Sequence, residues 1–160
     1  MNKHPEGSKW HKWDLHVHTP KSIIQQFGGD TTQAWDDFFI AIANLPSEIK
    51  ALGITDYLFC DGYEHVLANR NSIPNIELII PNIEFRLNTF SGTDHNHKRH
   101  NFHVFFDPTI SVDTIRSQFL NGLSTAYLIE EGSEWNQTPT IASLEELGRK
   151  MKATAPANNS

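Results

Sequence analysis

The 160-residue sequence has almost no cysteine: Cys60 is the only one, so the chain cannot form an internal disulfide. A lone cysteine fits a reducing compartment, and packing in the core is its expected role. No apolar run approaches the roughly 18 residues of a membrane span, and the first residues lack the apolar segment of a signal peptide. These absences predict a cytoplasmic protein with no membrane partner.

An excess of positive charge is also missing. Lysine and arginine number 13 against 19 acidic residues, which gives a formal net charge of -6. This balance argues against a broad basic surface for nucleic acid, so any affinity for phosphate must come from metal ions or a few residues. The 38% of hydrophobic residues favours one folded domain, expected at 10–152, with tails at 1–9 and 153–160.

Apolar spacing along the chain alternates between strand-like and helix-like patterns. Thr31 or Thr32 is positioned to cap a helix whose apolar residues recur at three-to-four spacing and which Pro46 ends. Alternation of this kind predicts an α/β fold with a largely parallel sheet. Strands are predicted at 13–19, 54–57, 77–80, 83–85 and 101–106, and helices at 32–45, 47–52, 64–69, 111–122 and 143–151.

His16 and His18 are the most informative pair of residues in the sequence. Side chains two apart in a strand point to the same face, so both imidazoles can reach one metal ion. Trp13, Leu15 and Val17 would then occupy the opposite, buried face. The competing interpretation is a strand whose histidines are merely exposed.

Three further candidates follow at or near the ends of later predicted strands. Asp56 ends the second strand, Glu84 lies on the next, and His103 lies in the strand after that. A barrel or an open parallel sheet would bring them close to His16 and His18. Imidazole and carboxylate groups are ligands that Zn²⁺, Mn²⁺ or Fe²⁺ accept, and such an ion activates water for hydrolysis.

Four segments together resemble the first three motifs of the PHP (polymerase and histidinol phosphatase) family, over about residues 10 to 107. They are Asp-Leu-His-Val-His-Thr at 14–19, Gly-Ile-Thr-Asp-Tyr at 53–57, Ile-Ile-Pro-Asn-Ile-Glu at 79–84 and Phe-His-Val-Phe at 102–105. The resemblance implies a distorted seven-stranded β/α barrel, here its N-terminal portion, that hydrolyses phosphoesters with divalent metal ions. It also implies that His16, His18, Glu84 and His103 bind metal, with Glu84 in a position to bridge two ions.

The sequence departs from the family pattern in its second and last motifs. Tyr57 stands where the family has a metal-binding histidine, and a neutral tyrosine is a poor ligand. No histidine follows His103, so the late Asp-x-His motif is missing. Two interpretations stay open: a fragment of a longer hydrolase, or a degraded, non-catalytic module with a scaffold or regulatory role. A metal-dependent amidohydrolase is a third class, but its later ligands are not found.

A narrower resemblance comes from residues 7–13 together with Tyr57. These residues are similar to PHP modules that precede an SMC-like or AAA-type ATPase in bacterial proteins, some of them linked to phage defence. The resemblance implies a downstream ATPase domain as a partner in the same polypeptide and nucleic acid as a substrate. The sequence itself contains no Gly-x-x-x-x-Gly-Lys-Ser/Thr phosphate-binding loop.

Other polar residues have both a functional and a structural interpretation. Arg86 follows Glu84 by two residues, so it could meet a substrate phosphate or form a structural ion pair. Asp56 is expected to orient neighbouring groups rather than to bind metal. The polar segment 94–100 holds three histidines and two cations and is expected to be a solvated loop, with metal or phosphate binding as the alternative.

Overall fold

The computed structural model describes residues 10–93, 98–123, 128–130, 133–134 and 140–154. The elements in chain order are β1 (Lys12–Val17), α1 (Thr32–Ala43), β2 (Ile49–Tyr57), α2 (Asp61–Ala68), a 3-10 turn (Arg70–Ser72), β3 (Leu78–Ser91), β4 (Lys98–Phe105), α3 (Val112–Thr114), a π-helical segment (Ile115–Leu120), α4 (Asn121–Leu123), β5 (Leu128–Glu130), β6 (Ser133–Glu134) and α5 (Ile141–Thr154). This mixture of helices and strands confirms the predicted α/β class. The predicted tail at 1–9 lies outside the described residues, as do residues 155–160 of the other tail.

The central sheet has four strands in the order β1-β2-β3-β4 and is curled like half of a barrel. Strands β1, β2 and β3 run parallel to one another, as predicted. Strand β4 instead runs antiparallel to β3, because the two strands form a hairpin. The expectation that His103 would lie on a further parallel strand is therefore wrong.

The structure corrects the predictions around β2 and β3. The predicted helical turn at 47–52 is wrong, because β2 already begins at Ile49. The predicted break at Pro81 is also wrong, since β3 runs through it. The Pro81 carbonyl accepts a hydrogen bond from the Phe106 amide just beyond the end of β4, so β3 keeps this pairing although Pro81 has no N–H to donate.

Helix α1 begins where its sequence predicts. The Thr31 side chain accepts a hydrogen bond from the Ala34 amide and so caps the helix. Trp35, Phe38 and Ile42 are buried on one face, as their spacing predicts. The burial of Cys60 is likewise confirmed. In contrast, Trp13 is 60% exposed, so its predicted place on a buried face of β1 is wrong.

The chain divides into two compact units, with the boundary between Thr109 and Ile110. The curled sheet, α1 and α2 belong to the first unit. The second unit contains the helical run from α3 to α4, the β5–β6 pair and α5, which begins before the predicted residue 143 and ends at Thr154. No helix among the described residues is long and apolar enough to cross a membrane.

Candidate metal centre

His16 and His18 lie together at the carboxyl end of β1, as strand alternation predicts. Their Nε2 atoms are 3.1 Å apart, although His18 itself follows the last residue of the strand. Both Nε2 atoms approach the same carboxylate oxygen, Glu84 Oε2, at 3.2 Å and 3.3 Å respectively. The parallel pairing of β1, β2 and β3 brings the two histidines to Glu84 from across the sheet.

Glu84 is the centre of this cluster and is completely buried. A buried carboxylate costs several kcal/mol unless it is paired, so it needs a cation or several donors. No lysine or arginine among the described residues pairs with it, and its second oxygen, Oε1, has no hydrogen-bond partner among them. Within the described part of the chain, Glu84 therefore keeps a buried acceptor that no lysine or arginine pairs with.

His103 enters the cluster from β4 because it is the direct cross-strand partner of Glu84. One ligand atom each from His16, Glu84 and His103 lie within 4.8 Å of one another. The His103 Nδ1 atom is 3.1 Å from the Asn82 side-chain nitrogen, so the other ring nitrogen is left for the cluster. The same Asn82 nitrogen donates to the Leu15 carbonyl at 2.9 Å, which fixes the orientation of the amide beside His103 Nδ1.

His18, like His103, has a polar partner on the ring nitrogen that faces away from Glu84, and this partner orients the ring. Ser22, a buried serine, places its Oγ 3.3 Å from His18 Nδ1. Burial lowers the pKa of His18, an effect that the Glu84 carboxylate opposes, so neutral imidazole is favoured. Metal-binding histidines typically have such partners on the nitrogen that does not bind metal.

Asp56 lies behind the cluster rather than in it. The Thr19 hydroxyl donates to it at 3.0 Å, and the Thr19 amide donates at 3.2 Å. Burial raises the pKa of Asp56 to about 6, although the Thr19 bonds act in the opposite direction. Since Thr19 directly follows His18, Asp56 anchors the chain that carries this histidine.

Tyr57, which is half-buried, and Arg86, which is exposed, lie next to the cluster. The Tyr57 ring stacks on His18 at 5.3 Å between ring centroids, and Tyr57 pairs with Glu84 across the strands. Burial raises the pKa of Tyr57, and Glu84 adds to this effect. Arg86 lies over the Tyr57 ring, with its guanidinium carbon 5.6 Å from the centroid. Of the two interpretations of Arg86, the structural ion pair has no counterpart in the described part of the chain, where no carboxylate pairs with Arg86.

The donor set fits a divalent transition metal. His16, Glu84 and His103 supply two imidazoles and one carboxylate, which are ligands that Zn²⁺, Mn²⁺ and Fe²⁺ accept. His18 lies outside that group, but its Nε2 is close to His16 and Glu84, where it could add a third imidazole. The unpaired Glu84 Oε1 supports this fit, because a bound cation would compensate a buried charge that no lysine or arginine of the described residues neutralises. The prediction of a solvated loop at 94–100 is wrong for residues 98–100, which form the exposed start of β4, and residues 94–97 lie outside the described part of the chain.

Sequence reasoning missed Asn82 and Ser22. Asn82 precedes Glu84 by two residues, so strand alternation could have placed it on the same face. Ser22 lies in a loop, where no periodic signal indicates its position.

No protein-family model, curated protein or solved structure matches this chain. The assignment of function therefore rests on the geometry of the site and on motif resemblance.

Proposed function

We propose that this chain is a PHP-like, metal-dependent phosphoesterase whose divalent ion is held by His16, His18, Glu84 and His103. The observation that carries the proposal is the completely buried Glu84 carboxylate, surrounded by histidine nitrogens and left with one unpaired oxygen. The segments around these four residues resemble PHP motifs in order and in residue type. Both lines of support concern the same side chains.

The residues of the chain have separate roles in this proposal. His16, His18, Glu84 and His103 bind the ion, and Ser22 and Asn82 orient the rings of His18 and His103. When bound, the ion supplies an activated water and stabilises charge on the phosphoryl oxygens. The order β1-β2-β3-β4 is compatible with part of a barrel, and we propose that it is the N-terminal part of a PHP barrel.

The resemblance also supports a wider context for the activity. We propose a cytoplasmic protein in which this chain precedes an ATPase domain and acts on nucleic acid in bacterial defence. The support is the similarity of residues 7–13 and Tyr57 to PHP modules of that kind.

A non-catalytic PHP module is the second candidate. Tyr57 favours it, because this residue stands at a ligand position of the family and stacks on His18 instead of presenting a strong ligand. In that case the cluster would serve a scaffold or regulatory role, with one bound ion or none.

Hydrolysis of p-nitrophenyl phosphate and bis(p-nitrophenyl) phosphate distinguishes the two candidates. Wild type should hydrolyse at least one of them with Zn²⁺, Mn²⁺ or Fe²⁺, and Glu84→Gln and His16→Ala should lower kcat/KM by at least about 100-fold. His11→Ala, which removes an exposed histidine before β1, is the matched control. Activity that is unchanged in both cluster variants would contradict the phosphoesterase, and metal binding without hydrolysis would favour the scaffold.

A further inference from the structure

Arg86 has an unusual position for a cation next to a proposed metal site. It follows Glu84 by two residues on β3, and its cross-strand partner on β4 is Asn101. Its side chain is exposed, so its donors can reach a ligand from solvent. Two neighbours hold the guanidinium without neutralising it: Nη2 is 3.4 Å from the Tyr57 hydroxyl, and Nε is 3.4 Å from Asn101 Oδ1.

These contacts leave most of the guanidinium available. Arginine has five N–H donors in a planar fork, and only two of them are directed at Tyr57 and Asn101. Both contacts are long, and neither partner carries a negative charge. The ring of Tyr57 packs on one side of the guanidinium, which restricts the side chain before any ligand arrives.

Tyr57 connects this cation to the metal cluster. It pairs with Glu84 across the strands and its ring stacks on His18. A guanidinium held by Tyr57 therefore borders the same face on which the cluster histidines meet Glu84. An anion bound to the proposed ion would lie beside the unused donors of Arg86.

The charges near the cluster indicate which anion fits. Neutral histidines and one carboxylate around one divalent ion leave a single positive charge, and Arg86 adds a second. A phosphomonoester carries close to two negative charges near neutral pH, whereas a diester carries one. The planar fork also suits a terminal phosphoryl group, which offers several free oxygens for paired hydrogen bonds.

We infer that Arg86, held by Tyr57 and Asn101, is a substrate-binding residue that selects terminal phosphomonoesters over internal diesters at this site. This inference rests on the proposed function and names its substrate class. Arg86 binds the phosphoryl oxygens that face away from the ion, and the Tyr57 hydroxyl holds the guanidinium in place.

Equilibrium binding of inorganic phosphate and of dimethyl phosphate to the metal-loaded protein tests the inference by calorimetry. Wild type should bind phosphate at least about 10-fold more tightly than dimethyl phosphate. Arg86→Gln should weaken phosphate binding by about 10- to 100-fold and leave dimethyl phosphate nearly unchanged. Tyr57→Phe, which removes only the hydroxyl, should weaken phosphate binding by a smaller factor.

Lys12→Gln is the matched control, because it removes an exposed cation at the start of β1, at the opposite end of the strand from His16. This substitution should leave the affinity for phosphate within about twofold of the wild-type value. Metal content is measured for each protein. Wild type without metal would contradict the proposed function. Retained metal with no phosphate binding, with equal affinity for the two phosphates, or with affinity unchanged in Arg86→Gln would overturn the role of Arg86 alone.

Discussion

The cluster around Glu84 shows which features of the site can be predicted from the positions of single residues. The rule that strand residues two apart share a face was enough to place His16 beside His18 and Arg86 beyond Glu84. It could not show that Glu84 would be completely buried, because burial depends on strands that are far apart in sequence. That Glu84 Oε1 lacks a hydrogen-bond partner among the described residues can be seen only in the folded sheet.

Asp56 should make stability depend on pH. Its pKa is raised to about 6 by burial, so the unfolded chain releases this proton at lower pH than the folded chain does. Stability from the protonated form is therefore complete only well below the unfolded-state pKa of about 4, and it is lost as the pH rises from there through about 6. Relative to Asp56→Asn, wild type should lose roughly 2 kcal/mol between pH 4 and pH 7.

Urea unfolding of both proteins at several pH values measures this difference. Asp56→Asn also weakens the bonds with Thr19, but that cost does not follow the Asp56 titration. A wild-type-minus-variant free energy that stays constant from pH 4 to pH 7 would contradict the raised pKa.

Gly62 should not tolerate a side chain. A Cβ atom at this position would lie 1.9 Å from Asp56 Oδ2 and 2.2 Å from Thr19 Oγ1, so both buried groups would have to move. Gly62→Ala should lower the free energy of unfolding by about 1–3 kcal/mol. Gly148→Ala, in α5 with nothing within 4 Å of the added carbon, should instead be neutral or stabilising by up to about 1 kcal/mol. If the two substitutions changed the free energy of unfolding in denaturant equally, the close packing of Gly62 against Asp56 and Thr19 would be refuted.

At the scale of elements, the predicted class and most of the strands are confirmed, whereas the connection of β3 to β4 was not predictable. Proline normally interrupts a strand, yet β3 continues through Pro81, whose carbonyl still accepts a hydrogen bond from the Phe106 amide just beyond β4. The hairpin sets the Glu84 pairing with His103. Ser91 and Gly92 indicate a turn after β3, but a turn signal does not by itself fix which residues of the two strands face each other.

Asn82 connects three strands at the base of the cluster. Its side-chain nitrogen is 2.9 Å from the Leu15 carbonyl on β1, 2.7 Å from Thr55 Oγ1 on β2 and 3.1 Å from His103 Nδ1 on β4. Asn82→Ala should therefore weaken metal binding by about 10- to 100-fold, because His103 loses the partner that orients it. The visible absorption spectrum of the Co²⁺-loaded protein should also change, a signature that simple destabilisation does not produce. An unaltered spectrum and affinity would exclude a positioning role for Asn82.

At the scale of the whole molecule, the formal charge of -6 and the small number of cations at the site limit how nucleic acid can bind. If one or two phosphates are contacted, the logarithm of the association constant for single-stranded DNA should fall with the logarithm of salt concentration with a slope of about -1. Fluorescence anisotropy at several salt concentrations measures the slope. A slope of about -5 or steeper would require an extended basic surface that the composition does not favour.

The metal content of the purified protein tests the central claim most directly. Wild type and the control His11→Ala should each hold about one equivalent or more of a divalent transition metal, as measured by mass spectrometry of the elements after dialysis. Glu84→Gln should hold far less, because it removes the only carboxylate of the cluster while keeping its shape. Wild type with well below one equivalent, or Glu84→Gln with the same content as wild type, would contradict a metal centre at His16, His18, Glu84 and His103.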